Sequence, residues 1–166
     1  MVALYCMIVY IAGHSFWQES AGGSLIIDQE QKVRGSVLLA QKTDSELYFM
    51  RRPNKKIDSK CDVALYNEAL KLTLLRLFEE SGRPFDISSL APSASLLDPY
   101  ITKREALIQA SKISSARQIK LKKFLKIINE HALPQSVPFF ELEIVNTTLL
   151  NSILDGYIGE GYIVAN

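Results

Sequence analysis

Residues 2–12 form an apolar run with no charged side chain, and the first Lys or Arg of the chain is Lys32. The run holds Val2, Tyr5, Ile8, Val9, Tyr10 and Ile11, side chains that suit a pleated surface. It predicts a buried central strand over residues 3–12. A polar loop with Gly13, Ser20, Gly22 and Gly23 follows. Residues 24–28 and 33–41 then read as a second and third strand, joined by the short polar stretch 29–32. Residues 46–51 read as a further short strand, and the basic, Pro53-bearing stretch 52–59 as an exposed loop.

From position 63 the period changes. Apolar side chains at 63, 66, 70, 74, 77 and 78 predict a helix with its body over 63–80, beginning near Cys61 or Asp62, with Asp62 as N-cap or first-turn acid and Gly82 and Pro84 stopping it. Leu65, Ala69, Leu72 and Leu75 widen the stripe, so most of this helix is expected to be buried. Residues 83–101 leave a strand open at 85–90 or 93–97. Thr102 followed by Glu105 is a capping-box pattern, and helix is expected to about Ser111. A second helix over 116–131 places Ile119, Phe124, Ile127 and Ile128 on one side and ends at Pro134. Residues 137–145 read as a strand, Asn146 or Thr147 caps a helix over 148–157, and 162–165 read as a terminal strand. A run of strands followed by alternating helix and strand predicts one α/β domain over 1–166: a mixed sheet of about five strands, antiparallel in its N-terminal portion and covered by helices.

The N-terminal run bears on location. A signal peptide has a basic segment before its apolar core, and none precedes this run. Eleven residues are too few to span a bilayer as a helix. The expectation is therefore an intracellular, cytoplasmic protein without a membrane partner. Cys6 and Cys61 belong to no CxxC pair or Cys/His cluster, which argues against zinc and suits a reducing compartment. His14 and His131 are the only histidines. His131 falls at a helix end, where it can engage the last carbonyls.

The net charge is +1 over 166 residues, but it is unevenly spread. Residues 101–132 carry eight basic and two acidic side chains, whereas 133–166 carry four acids and no Lys or Arg. Residues 51–60 add five basic side chains against Asp58. Such asymmetry can steer a polyanion to one face. The candidates for a nucleic-acid contact are Arg51, Arg52, Lys55, Lys56, Lys103, Arg104, Lys112, Arg117, Lys120, Lys122 and Lys123. The same charges also fit solvated helix faces.

Four local patterns carry a family resemblance. Val9-Tyr10-Ile11-Ala12-Gly13 ends the first expected strand, Tyr66-Asn67-Glu68-Ala69-Leu70 opens the long helix, Leu96-Leu97-Asp98-Pro99-Tyr100 precedes a helix, and Asn151-Ser152-Ile153-Leu154-Asp155 lies in the last helix. The order and the motifs resemble the ribonuclease H-like superfamily. That resemblance implies a nucleic-acid-binding domain in which Glu68, Asp98 and Asp155 are the catalytic and metal-ligating acids, gathered around Mg²⁺. Where that family has an Asp before Gly, this chain has Ala12, which cannot ligate a metal, so the resemblance implies an impaired nuclease. The residues also admit plainer roles: Glu68 can pair with Lys71, Asp98 before Pro99 is a common turn residue, and Asp155 before Gly156 is an ordinary helix end. The alternative function is a non-enzymatic protein-binding module, such as a toxin-neutralising (immunity) or assembly subunit.

Overall fold

A computed structural model of the chain describes residues 1–28, 30–43, 45–52, 72, 75, 76, 79, 93, 95, 97–137 and 140–156. The apolar N-terminus is a helix, α1 (Val2–Phe16), and not the expected strand. None of its residues is buried. The physical reason is that an isolated apolar run pairs its interior backbone groups within a helix, whereas a strand needs neighbours to pair with. Its apolar residues do not alternate, so the pattern itself left helix and strand equally open. A single turn, α2 (Gln18–Ala21), follows, and Gly23 at φ +88° and Ser24 at φ +47° turn the chain into the body.

Strands β1 (Leu25–Ile27) and β2 (Val33–Ser36) form an antiparallel hairpin, with an irregularity in the register at Ile26/Ile27. The second strand is shorter than expected. After Ser36 the chain turns, and residues 37–43 and 45–50 cross the body without regular structure. Residues 46–51 are therefore turn and coil, not a strand. Most of the predicted helix over 63–80, including Asp62 and Glu68, lies outside the described residues. Leu72, Leu75, Arg76 and Glu79 are described as helical. Leu72 and Leu75 are 57% and 49% exposed, so the wide buried stripe does not extend to them.

The second half is a compact unit. Strand β3 (Tyr100–Thr102) leads into α3 (Lys103–Arg117) and α4 (Leu121–Glu130), then β4 (Leu133–Val137), β5 (Phe140–Asn146) and α5 (Thr147–Leu154). The three strands form an antiparallel sheet in the order β3-β5-β4. The five described strands thus lie in two small antiparallel sheets. The β4 strand was hidden by Pro134, which reads as a helix stop. Among the described residues β4 pairs on one side only, with Pro134 opposite Glu143, and an edge strand tolerates a proline.

Caps set the helix boundaries. The Thr102 hydroxyl accepts from Glu105 N at 3.2 Å, and the Asn146 side chain accepts from Leu149 N at 3.0 Å. Gln118 closes α3 in the left-handed region at φ +56°. The core joins both halves. Ile26, Val37 and Phe49 pack with Ile101, Ala106, Ala110, Ile113, Phe124, Ile127, Ile128, Val145, Leu149, Leu150 and Ile153. Full burial of each large aliphatic or aromatic side chain stabilises the fold by about 1.5–3 kcal/mol.

Candidate functional site

The segment 37–50 is held by side chains in place of a partner strand. Asn146 Nδ2 donates to Val37 O at 2.8 Å, and Thr148 Oγ1 donates to Leu39 O at 2.9 Å. Asn151 brackets Phe49, its Nδ2 donating to Phe49 O at 3.0 Å and its Oδ1 accepting from Phe49 N at 2.8 Å. Gln109 does the same for Met50, at 3.2 Å to its carbonyl and 2.7 Å from its N–H. A primary amide presents one donor and one acceptor side by side, as an extended strand does, so each of these two residues completes a ladder rung. Gln109 is itself oriented by a bond from its Nε2 to the buried Glu105 carboxylate at 2.8 Å.

Arg117 extends the clasp at the end of α3. Its Nε donates to Leu47 O at 2.7 Å, its Nη1 to Leu154 O at 3.1 Å and its Nη2 to Asp155 Oδ1 at 3.0 Å. The guanidinium lies over the Tyr48 ring, 4.5 Å from its centroid. Burial, helped by the hydrogen bond to Asp155 and by that residue's charge, raises the Tyr48 phenol above its ordinary 10.0, and Arg117 opposes the shift. Arg117, expected on a nucleic-acid face, is thus spent on internal contacts.

The other expected site residues scatter. Asp98 Oδ1 accepts from Tyr100 N at 3.0 Å, the local bond of a turn aspartate. Asp155 caps α5 and pairs with Arg117. Ala12 lies within α1 and not at a strand end. Glu68, Lys55 and Lys56 lie outside the described residues. Among the described residues, no three His, Cys, Asp or Glu side chains gather where they could hold a metal. Lys103 is paired with Glu143 at 2.8 Å. Arg51 and Arg52 are half-buried, and Arg104, Lys112, Lys120, Lys122 and Lys123 stand exposed on α3, α4 and the turn between them. His131 Nδ1 lies 2.9 Å from Ile127 O, at the helix end where it was expected.

The surface feature that sets the chain apart is apolar. On α1, Val2, Leu4, Tyr5, Met7, Ile8, Val9, Tyr10, Ile11 and Phe16 are between 51% and 78% exposed. Exposed apolar surface on that scale belongs to a chain that is covered by lipid or by another protein.

The family model for KdpC, described as the K⁺-transporting ATPase, c chain, matches residues 1–156. The chain belongs to the KdpC family. Its relatives include potassium-transporting ATPase KdpC subunits from Parvibaculum lavamentivorans, 30% identical over 166 residues (93% of this chain and 87% of the relative), and from Pseudomonas aeruginosa strain UCBPP-PA14, 31% identical over 165 residues (93% and 87%). The subunit from Gloeobacter violaceus is 29% identical over 148 residues, 83% of this chain and 78% of the relative.

This membership corrects the ribonuclease H-like resemblance, the nucleic-acid-binding nuclease reading and the nucleic-acid partner. It also corrects the expectation of a cytoplasmic protein without a membrane partner, because the relatives are subunits of ATPases that move K⁺ across a membrane. The four motifs behind the resemblance were short, and in the described ones Asp98 serves a turn, Asp155 a helix end and Ala12 the interior of α1. The expectation of Mg²⁺ rested on that resemblance alone.

Proposed function

We propose that this chain works as the c chain of a potassium-transporting ATPase, with α1 held in the apolar part of the membrane complex and the α/β body standing outside it. The reading rests on one structural observation joined to the family: α1 exposes apolar side chains around its whole circumference. A helix that is apolar all round is stable where its surroundings are apolar. Covering the nine exposed side chains of α1 removes roughly half of their surface from water, which is worth on the order of 10 kcal/mol. No helix among the described residues is long and apolar enough to cross a membrane. The 15 residues of α1 rise about 22 Å, against a hydrocarbon core of about 30 Å.

The test is co-expression of the chain with the other subunits of its ATPase and purification from detergent through a tag on one of those subunits. The full chain should co-purify, and its omission should lower K⁺-stimulated ATP hydrolysis. Removal of residues 2–16 should release the body from the complex. A full chain that neither co-purifies nor alters K⁺-stimulated hydrolysis overturns the reading.

A further inference from the structure

The fold leaves most of the basic stretch of the sequence on its surface. Arg117 is taken up by the clasp and Lys103 by Glu143. Lys112, Lys120, Lys122, Lys123 and Lys126 stand exposed. Between the buried Glu105 and the exposed Glu130 the chain carries no acidic residue.

Helical geometry gathers these cations. Phe124, Ile127 and Ile128 turn one side of α4 to the core. Lys122 and Lys126 are about one turn apart, and with Lys123 they occupy the opposite side. Lys120 is the N-cap of the same helix, whose first turn holds no acidic side chain. The single acid of α4 is Glu130, whose Oε1 lies 3.7 Å from Lys126 Nζ with both side chains well exposed, a pair that water holds only weakly. α3 packs against α4 and adds the exposed Arg104 and Lys112, while its own acid, Glu105, is buried.

The make-up of this face separates a lipid from a protein partner. The centres of protein interfaces are poor in Lys and rich in Arg and aromatic side chains. Every cation on α4 and at its N-cap is a lysine, and the exposed side chains of α4 include no aromatic. Lysine is a hydrated point charge on a flexible stem, suited to a fluid array of headgroup phosphates. Leu121, 41% exposed, stands between Lys120 and Lys122, where it can enter the headgroup boundary while the lysine stems reach the phosphates.

The membrane is close by. Seven residues separate Trp17 from Leu25, four of them in α2, so the body starts within roughly 20 Å of the end of α1. Each lysine is drawn to an anionic leaflet weakly, and only within the Debye length of about 8 Å at physiological salt. Tethering by α1 makes these attractions intramolecular, so that a few cations suffice to favour one orientation of the body.

We propose that Lys120, Lys122, Lys123 and Lys126, with Leu121 among them, form a contact for anionic phospholipid headgroups that holds the body against the bilayer surface. This rests on the function proposed above in that α1 brings the chain to a membrane. The contact makes the placement of the body depend on the anionic lipid content of the bilayer.

The test uses the whole complex, purified through a tag on another subunit and reconstituted into nanodiscs of phosphatidylcholine alone or with about 30 mol % phosphatidylglycerol. A benzophenone side chain is placed at position 121 and, as control, at position 142 on β5, where Leu142 is equally exposed and lies between Glu141 and Glu143 in the chain. Illumination should give at least fivefold more phospholipid adduct at position 121 with phosphatidylglycerol than without, and no such difference at position 142. Raising NaCl from about 0.05 M to about 0.5 M should remove most of that difference. The variant Lys120→Gln/Lys122→Gln/Lys123→Gln/Lys126→Gln should lower the adduct to the phosphatidylcholine level while the chain stays on the complex and unfolds within about 2 °C of wild type. Replacing the same four lysines by Arg should preserve the adduct. Equal labelling in the two lipids, adducts to another subunit in place of lipid, or unchanged labelling in the folded Gln variant overturn the proposal. Should the Gln variant unfold, the lipid and salt dependence of wild-type labelling decides. A wild-type chain absent from the complex overturns the c-chain reading and this proposal together; a chain retained without lipid adducts at position 121 overturns the lipid contact alone.

Discussion

Replacing Arg117 by Ala removes one guanidinium that ties three separate segments together. It bonds the carbonyl of Leu47, the carbonyl of Leu154 and the carboxylate of Asp155, and covers the Tyr48 ring. Hydrogen bonds from a charged donor contribute about 1.5–3 kcal/mol each when buried. Here the side chains of Arg117 and Asp155 keep 15% and 25% of their surface in water. Water therefore replaces part of what is lost, and the contacts share one side chain, so the terms do not add in full. The cation–π contact adds about 0.5–1 kcal/mol. The expected cost is about 3 kcal/mol, which for a chain of this size lowers Tm by about 6–12 °C. Arg117→Lys should recover no more than about a third of this, because a single ammonium cannot serve three acceptors along a planar fork. Thermal unfolding of the full chain in detergent, followed by circular dichroism, measures both variants. A loss under 2 °C for the alanine variant, or full recovery by lysine, would show that the clasp does not hold the segment down.

The remaining predictions concern neighbouring contacts. Asn151→Leu keeps the size of the side chain but leaves both backbone groups of Phe49 without their partner, and should destabilise by about 2–3 kcal/mol in urea unfolding, with faster amide exchange at Phe49. Gln118→Gly should stabilise by about 0.5–1 kcal/mol in the same assay, because Gln118 sits at φ +56°, a conformation that glycine adopts without a Cβ clash. Tyr48 has its folded pKa raised, so the neutral phenol is favoured by the fold. Its contribution is fully present below the unfolded value of 10.0 and is lost as pH rises through the higher folded value; unfolding midpoints measured from pH 8 upward should fall more steeply above pH 10 for wild type than for Tyr48→Phe.

Local chemistry was legible wherever a residue acts on its immediate neighbours. The Thr102/Glu105 pattern placed the start of α3, the choice of Asn146 or Thr147 placed the start of α5 to within a residue, and the polar stretch 29–32 between apolar runs placed the hairpin. The 3.6-residue period put Phe124, Ile127 and Ile128 on the buried side of α4. Gln109 and Asn151 also left a trace: each is polar on a helix side otherwise given to Ala106, Ala110 and Ile113 or to Leu150 and Ile153. A polar residue in such a place needs a partner, but the partner lies 59 and 102 positions away along the chain.

What only the tertiary structure decided was the destination of each residue. The amino-acid sequence by itself determined that residues 2–12 are apolar and uncharged; that they form a helix, surrounded by no other part of the described chain, depended on which strands were present to pair with them. Arg117 and Asp155 were charged residues in a basic and an acidic stretch, and became a clasp because α3 and α5 end side by side. The same holds for Val37, Leu39, Phe49 and Met50, whose backbone groups find hydrogen-bond partners in side chains far along the chain. Periodicity reports a residue's surroundings within its own element, whereas pairing partners and cross-chain contacts are properties of how the elements pack.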